Sequence, residues 1–257
     1  MEGIFPRMIV PNNAVPDFCI ERNSVVKTKM LVRIWERAQI SQVQLLDVGC
    51  GDAAWLVPLL EGVDNVAYHG VEPQERLVRQ ARTNLPRFAA DIRVAGGEDI
   101  ESEFGKRFDL VISRAALEHV YHRAVFLDQV CGAVGDGGSL LLTYGSNHFK
   151  QDFKTDVRNL ASQILARGGL RRYYTAPVDD AALLGALERN GLHLQARGHY
   201  SLDEVKAAHK LIGDPAASRD VLMNWLALEE QLNVEGAAPE RLSTLTNEAY
   251  FDARRGD

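Results

Sequence analysis

The sequence predicts an α/β protein in which short buried strands alternate with helices around a mostly parallel sheet. Two stretches carry this prediction. Residues 43–48, VQLLDV, form an apolar run that leads into the turn Gly49–Gly51 and then into a helical pattern. Residues 108–113, FDLVIS, are apolar enough to be buried on both faces, as the central strands of parallel sheets are.

Composition and charge narrow the classes of partner. The 257 residues are 46% hydrophobic and carry a net charge of −6, which is ordinary for a soluble globular protein and gives no electrostatic footprint for nucleic acid or an anionic membrane. No apolar run is long enough to cross a membrane, and the proline-containing N-terminus does not read as a signal peptide. Cys19, Cys50 and Cys131 show neither disulfide nor zinc spacing. We therefore expect a cytoplasmic protein without nucleic-acid or membrane partners.

The glycine turn after the first strand predicts a ligand site. Glycine tolerates positive φ and lets a ligand approach the backbone, and the following helix offers free N–H groups and a partial positive charge. Residues 49–54, GCGDAA, satisfy the loose G-x-G-x-x-G/A pattern. Two ligands use such a cradle, a dinucleotide and S-adenosylmethionine, and the turn alone does not choose between them.

An acid follows the second predicted strand. Residues 65–71, NVAYHGV, lead into Glu72 and Pro73, and Glu72 lies 21 residues beyond Gly51. A carboxylate at this position can accept hydrogen bonds from both ribose hydroxyls. The alternative is a first-turn helix acid, since Pro73 suits the first helical position. The spacing favours ribose binding.

Three landmarks in a fixed order carry a family resemblance: LLDVGCGDA at 45–53, HGVEPQ at 69–74 and FDLVISRAALEHV at 108–120. Together they resemble the class I S-adenosylmethionine-dependent methyltransferases, whose first motif reads acid-x-G-x-G-x-G. The acid of this motif is Asp47, and Ala53 stands at the third glycine. The third landmark is unusual in nicotinamide-dependent dehydrogenases. The resemblance covers residues 40–200 well and the helical additions hardly at all.

The resemblance implies a Rossmann-like seven-stranded mostly parallel sheet with helices on both faces, an antiparallel last strand and helical lid insertions. We expect one methyltransferase domain over 1–257. Its parts are a helical cap at 1–40, a Rossmann-like core at 41–200, a helical insertion at 201–240 and a final strand at 241–257. In this family, helices such as those predicted at 151–170 and 201–234 commonly cover the substrate.

The implied function is methyl transfer from S-adenosylmethionine to oxygen or nitrogen of a small molecule, such as a sugar, a natural-product intermediate or an organic acid. A homodimer is also possible. The alternatives are an NAD(P)-dependent oxidoreductase and a catalytically inactive relative that binds S-adenosylmethionine.

The resemblance also implies site residues. Glu98 and Asp99 either contact the adenine or cap a short helix. The residues expected to bind the cofactor are Asp47, Gly49, Cys50, Gly51, Glu72, Pro73, Gln74, Glu98, Asp99, Ser113 and Arg114.

A general base is needed only when the acceptor carries a proton. Candidates near strand ends are His119, Tyr144 and His148, although histidine at position 119 is often structural in relatives. Glu118, His119 and His122 have no further ligand cluster beside them, so we expect no metal.

Overall fold

Seven strands form one sheet in the described part of the chain. The structure is a computed structural model that describes residues 15–22, 24–146, 160–161, 164–165, 176–234 and 239–256. The strands are β1 (Val43–Val48), β2 (Val66–Val71), β3 (Ile92–Arg93), β4 (Phe108–Arg114), β5 (Val134–Gly145), β6 (Leu192–Leu202) and β7 (Thr246–Arg255). Their order is β3-β2-β1-β4-β5-β7-β6, and β7 alone runs opposite to the others. The predicted mostly parallel sheet with an antiparallel last strand is confirmed.

Helices cover both faces of the sheet, as the sequence predicts. They are α1 (Val25–Ile40), α2 (Val57–Gly62), α3 (Glu75–Asn84), α4 (Ile100–Phe104), α5 (Arg123–Gly132), α6 (Asp180–Arg189), α7 (Asp203–His209), α8 (Pro215–Val234) and α9 (Pro239–Leu245). Helices α1, α2, α3 and α8 pack over Leu45, Ile112 and Tyr250, and we call this side the α1 face. Helices α4, α5 and α6 pack over Val111 and Leu142, and we call this side the α5 face.

Helix α1 shows how local sequence determines one of these layers. The Ser24 side chain accepts a hydrogen bond from the Lys27 N–H at 3.2 Å, which satisfies one of the free donors of the first turn. Val26, Met30 and Ile34 then recur at helical spacing and are fully buried against the sheet. Burial of such a side chain stabilises the fold by about 1.5–3 kcal/mol. The helix is therefore fixed over the sheet at both its cap and its apolar face.

Two strands differ in length from the sequence prediction. The third strand, expected over 90–95, spans only Ile92–Arg93 because a 3₁₀ helix that starts at Pro86 continues to Asp91. The fifth strand, expected over 139–144, begins at Val134 and continues through the glycines that predict a turn. A register shift against β4 accommodates these glycines.

The additions after β5 and β6 are described unequally. Helices α7, α8 and α9 lie between β6 and β7, where the sequence predicts an insertion, although α9 itself was not predicted. The helix expected over 151–170 falls largely outside the described residues. Of its apolar positions, Leu160 and Ile164 are exposed.

Residues with unusual backbone conformations lie at one edge of the sheet. The carboxyl ends of β1, β2, β4, β5 and β6 meet there with the start of β7. Among the described residues, three non-glycine residues have positive φ: Ala53 (53°), Ala115 (50°) and Ser201 (71°). Each lies at this edge, beyond β1, beyond β4 and near the end of β6. Strained backbone of this kind clusters at functional sites, so this edge is where the site is expected.

Candidate cofactor and active site

A cavity of about 370 Å³ opens at the carboxyl edge of the sheet. Its walls come from the glycine turn, the segment after β2, the segment after β3, the loop after β4 and helix α5. The lining residues are Gly49, Glu72, Pro73, Gln74, Gly96, Gly97, Glu98, Ala115, Ala116, His119, Val120 and Phe126. The fold thus brings together residues from all three sequence landmarks.

The glycine turn forms one wall and leaves no room for a side chain. The N–H groups of Gly49 and Cys50 both donate to the Val71 carbonyl, at 2.8 and 3.0 Å, which fixes the turn to β2. Gly49 has φ +75°, and a Cβ at this position would lie 2.7 Å from the Ala116 Cβ. Glycine is therefore required here both by the backbone conformation and by the close approach of the loop after β4.

Glu72 spans the mouth of the turn. One carboxylate oxygen accepts the Gly51 N–H at 3.2 Å, and the other accepts the Gln74 N–H at 2.9 Å. Burial raises the pKa of this carboxyl group, and the two amide hydrogen bonds lower it. Each oxygen keeps a further lone pair for a hydroxyl donor. The residue therefore holds the turn in place, a role that sequence reasoning missed, and still suits the predicted ribose contact.

At the opposite end of the cavity, Glu98 and Asp99 have different surroundings, which bear on whether each contacts the adenine or caps a short helix. The Asp99 carboxylate accepts the Gly96 N–H at 3.3 Å, which is the capping role. Glu98 lines the cavity. A Cβ on Gly97 would lie 2.3 Å from the Phe126 ring, so this ring packs directly against backbone. Sequence reasoning missed Phe126, because its helical spacing indicates only a core position.

Three predicted cofactor residues lie behind the cavity wall. Asp47 is 1% exposed and accepts the Tyr68 hydroxyl at 3.2 Å, and burial raises its pKa to about 7. Cys50 is buried, and the Ser113 hydroxyl donates to the Val48 carbonyl at 3.0 Å. These contacts tie β1 to its neighbours and support the turn from within.

Arg114 points to the α1 face at the end of β4. Its guanidinium carbon lies 5.7 Å from the centre of the Trp55 ring. Its Nε is buried and has no hydrogen-bond partner within the part of the chain that the structure describes. This cation is close enough to Asp47 to lower the pKa of that carboxyl group against the larger effect of burial. The structure therefore leaves a buried donor beside the glycine turn.

The three candidate bases have different surroundings. His119 lines the cavity within the turn Leu117–His119. Tyr144 is 4% exposed, its hydroxyl donates to Asp180 at the start of α6, and burial raises its pKa. Tyr144 is thus a tether between β5 and α6 outside the cavity lining, which disfavours it as a base. His148 lies outside the described residues.

The residues present fit a cofactor that carries a nucleoside and a charged tail. The turn exposes backbone at Gly49, Glu72 retains hydroxyl-accepting lone pairs, and Gly97 and Phe126 line the wall at the other end. The unpaired Arg114 Nε lies beside the turn. The volume of this pocket falls within the range of small-molecule sites.

Comparison with known proteins identifies the class. Residues 46–140 match the family model of a methyltransferase domain. The ubiquinone biosynthesis O-methyltransferase of Methylobacterium nodulans is 26% identical over 197 residues, which cover 75% of this chain and 74% of that protein.

Two solved structures share the fold. The magnesium protoporphyrin IX methyltransferase of Synechocystis PCC 6803, with bound S-adenosylhomocysteine, is 13% identical with a TM-score of 0.51, over 89% of this chain and 80% of that one. A putative sarcosine dimethylglycine methyltransferase from Galdieria sulphuraria is 13% identical with a TM-score of 0.54, over 89% and 85%.

Residues 46–140 carry a methyltransferase domain, and the curated relative and the strand order support a class I S-adenosylmethionine-dependent methyltransferase. Its cofactor is S-adenosylmethionine, so the choice that the glycine turn left open is decided against a dinucleotide. The enzyme class and the cofactor implied by the three sequence landmarks are confirmed.

The described residues contain neither a helix suited to cross a membrane nor a group of metal ligands. None of the helices there combines the length and the apolar character that a membrane crossing needs. No three His, Cys, Asp or Glu side chains in the same part of the chain are grouped as metal ligands.

Proposed function

We propose that this enzyme methylates a hydroxyl oxygen of a small-molecule acceptor. The observation that carries the proposal is the position of His119, which lines the same cavity as Glu72 and thereby supports its role as the proton acceptor. A hydroxyl acceptor needs such a group, whereas an unprotonated nitrogen does not. The match to an O-methyltransferase over three quarters of both chains supports the same choice.

The cofactor contacts follow from the cavity walls. Glu72 accepts hydrogen bonds from the ribose hydroxyls, and Glu98 contacts the adenine at the end formed by Gly97 and Phe126. The backbone of the glycine turn and Arg114 bind the amino-acid end, where a carboxylate satisfies the unpaired Nε. When bound, S-adenosylmethionine supplies a methyl group activated by its sulfonium sulfur.

The protein contributes alignment, exclusion of water and a site for the departing proton. Fixed walls at Gly49, Ala115 and Ala116 orient the bound groups without rearrangement. His119 accepts the hydroxyl proton in its neutral form. Asp47 and Ser113 keep the ends of β1 and β4 in register behind these walls.

The test separates cofactor binding from proton transfer. Calorimetry with S-adenosylhomocysteine and with NAD should give saturable binding of the first alone. With labelled S-adenosylmethionine and a panel of hydroxylated metabolites, His119→Gln should lower kcat by about 10²- to 10⁴-fold. Its affinity for S-adenosylhomocysteine should not change.

The matched control is His193→Gln, because His193 is an exposed residue of β6 far along the chain from the cavity walls. An unchanged kcat in His119→Gln would remove the base from the proposal. Binding of NAD in place of S-adenosylhomocysteine would refute the cofactor assignment itself.

We also infer a reducing, cytoplasmic location. Cys19, Cys50 and Cys131 are all buried and free, which suits a compartment that keeps thiols reduced. Cell fractionation tests this location. A homodimer and a single domain over 1–257 stay predictions, which light scattering and limited proteolysis test, and the net charge of −6 supports an acceptor other than nucleic acid.

A further inference from the structure

Three neighbouring strands carry polar side chains on the α1 face at the carboxyl edge. Arg114 of β4 pairs in register with Thr143 of β5, and Gly145 of β5 pairs with Glu248 of β7. Because side chains alternate along a strand, Arg114 shares the α1 face with Ile112, and Glu248 shares it with Tyr250. We call Arg114, Thr143 and Glu248 the polar row.

Each member of the polar row has a buried atom that finds no hydrogen-bond partner among the described residues. These atoms are the Nε of Arg114, the Oγ1 of Thr143 and the Oε2 of Glu248. Thr143 is 0% exposed. Native structures leave few buried polar groups unpaired, and each such group requires an explanation. Three of them on adjacent strands indicate a surface that is completed by a ligand.

The polar row adjoins the cofactor cavity. Ala115 lines the cavity and directly follows Arg114. The Ala115 N–H donates to the Thr143 carbonyl at 3.0 Å, so the cavity wall is hydrogen-bonded to the second member of the row. A molecule on the polar row is therefore next to the bound cofactor, as a methyl acceptor must be.

Glu248 is held in one orientation by a strained residue. Its Oε1 accepts the Ser201 hydroxyl at 3.3 Å, which leaves Oε2 for another donor. Ser201 has φ +71° and is 1% exposed, and its N–H donates to Glu229 of α8 at 2.9 Å. Strain of this kind persists only where the surroundings enforce it. The chain from α8 through Ser201 thus positions the Glu248 carboxylate.

The charges around the row decide the class of ligand. Lys27, in the first turn of α1, lies 3.7 Å from Glu21 and also interacts electrostatically with Arg114 and Glu248 of the row. Arg114 is taken by the amino-acid end of the cofactor in the proposed function. Of the remaining unpaired atoms, Glu248 Oε2 accepts a hydrogen bond and the Thr143 hydroxyl can donate one as well as accept one, and the Glu248 carboxylate repels an anion.

We propose that Thr143 and Glu248 form the acceptor subsite, and that it takes a small uncharged molecule with two neighbouring hydroxyl groups. One hydroxyl donates to Glu248 Oε2, and the other accepts a hydrogen bond from the Thr143 hydroxyl, which leaves the proton of this second hydroxyl for His119. These two residues occupy diagonal positions on paired strands, a separation that adjacent hydroxyls can span. This inference rests on the proposed function, since it names the acceptor that is methylated beside the cofactor cavity, and it excludes the organic acids among the earlier candidates.

Catechol and a vicinal cyclohexanediol are the probes, and two analogues serve as matched comparisons. Phenol lacks one hydroxyl, and protocatechuate adds a carboxylate to catechol. With labelled S-adenosylmethionine, at least one diol should be methylated with a kcat/KM about tenfold or more above that of phenol and of protocatechuate.

Three variants test the residues. Thr143→Val and Glu248→Gln keep the shape of their side chains, and Ser201→Gly removes the orienting hydroxyl at a positive φ that glycine adopts without strain. Each should lower kcat/KM for the diol by about tenfold or more, with unchanged affinity for S-adenosylhomocysteine. Glu75→Gln, on the exposed surface of α3, is the control.

The outcomes distinguish the two levels of inference. If the wild-type protein binds S-adenosylhomocysteine but calorimetry of that complex shows no binding of either diol, the acceptor subsite is wrong and the cofactor assignment stands. Wild-type kcat/KM in Thr143→Val and Glu248→Gln, or equal rates with phenol or protocatechuate, would also overturn the subsite. If S-adenosylhomocysteine itself does not bind, the proposed function fails first.

Discussion

Replacement of Glu72 gives the sharpest test of how the cavity holds its cofactor. In the free protein this carboxylate accepts the Gly51 and Gln74 N–H groups, one on each oxygen. In the proposed complex it also accepts hydrogen bonds from the ribose hydroxyls. Hydrogen bonds to a charged group contribute about 1.5–3 kcal/mol. Glu72→Ala should therefore weaken the binding of S-adenosylhomocysteine by roughly one to two decades.

Glutamine is not a neutral substitute at this position. A carboxylate can accept two amide donors at once, whereas an amide side chain must present an NH₂ group to one of them. Glu72→Gln should therefore also weaken binding, since one end of the segment from Gly51 to Gln74 loses its anchor. The exposed Glu75 lies three residues further along and offers the matched control Glu75→Gln.

Isothermal calorimetry with S-adenosylhomocysteine measures the change, and thermal unfolding shows whether each variant is folded. The expected order of affinity is wild type and Glu75→Gln first, then Glu72→Gln and Glu72→Ala. If folded Glu72→Ala binds as tightly as the wild type, then Glu72 only anchors the turn and does not contact ribose.

Three further predictions concern Gly49 of the glycine turn, the buried carboxyl group of Glu229, and helix α8. Gly49→Ala should lower the free energy of unfolding by about 1–2 kcal/mol from the positive φ alone, which denaturant unfolding measures. It should also weaken the binding of S-adenosylhomocysteine in calorimetry, because the new Cβ would lie 2.7 Å from the Ala116 Cβ. Burial raises the pKa of Glu229 from its ordinary value of 4.5 to about 7, so between these pH values the folded state keeps a proton that the unfolded state loses. The free energy of unfolding should therefore fall by at most about 3 kcal/mol as pH rises through this window. Glu229→Gln should reduce that slope in thermal unfolding. In hydrogen exchange, α8 should gain protection when cofactor and acceptor bind, while β1 stays protected throughout; slow, unresponsive exchange of α8 in the free protein would contradict a lid.

Much of the fold could be predicted because its signals are local. The glycines after β1 and the apolar run of β4 determine a strand, a turn and a buried central position within a few residues each. The third strand could not be placed correctly, because the 3₁₀ helix from Pro86 to Asp91 competes with it for the same residues. The length of β5 depends on pairing with β4 and β7, which no local pattern encodes.

In the candidate site, too, some residues could be predicted from local motifs and others depend on tertiary contacts. Gly49, Glu72 and His119 belong to local motifs, and the structure places all three around one cavity. The sequence indicates only that Phe126 is one apolar residue of a helix. Its contact with the Gly97 backbone depends on how α5 packs on the sheet. Thr143 and Glu248 are more than 100 residues apart in the sequence and meet only through strand pairing. Motifs therefore predict the cofactor contacts, and tertiary contacts determine the proposed acceptor contacts.

Helix α8 shows why the distinction between lid and core is too simple here. Leu222 and Trp225 are buried in the core of the α1 face, so part of this helix is structural. Glu229, one turn beyond Trp225, accepts the indole N–H as well as the N–H groups of Ser201 and Leu202. The same helix therefore anchors the end of β6, and through Ser201 it orients Glu248. A core helix that fixes an acceptor-binding carboxylate can influence specificity without opening, because a small shift of α8 against β6 changes the direction of one carboxylate oxygen.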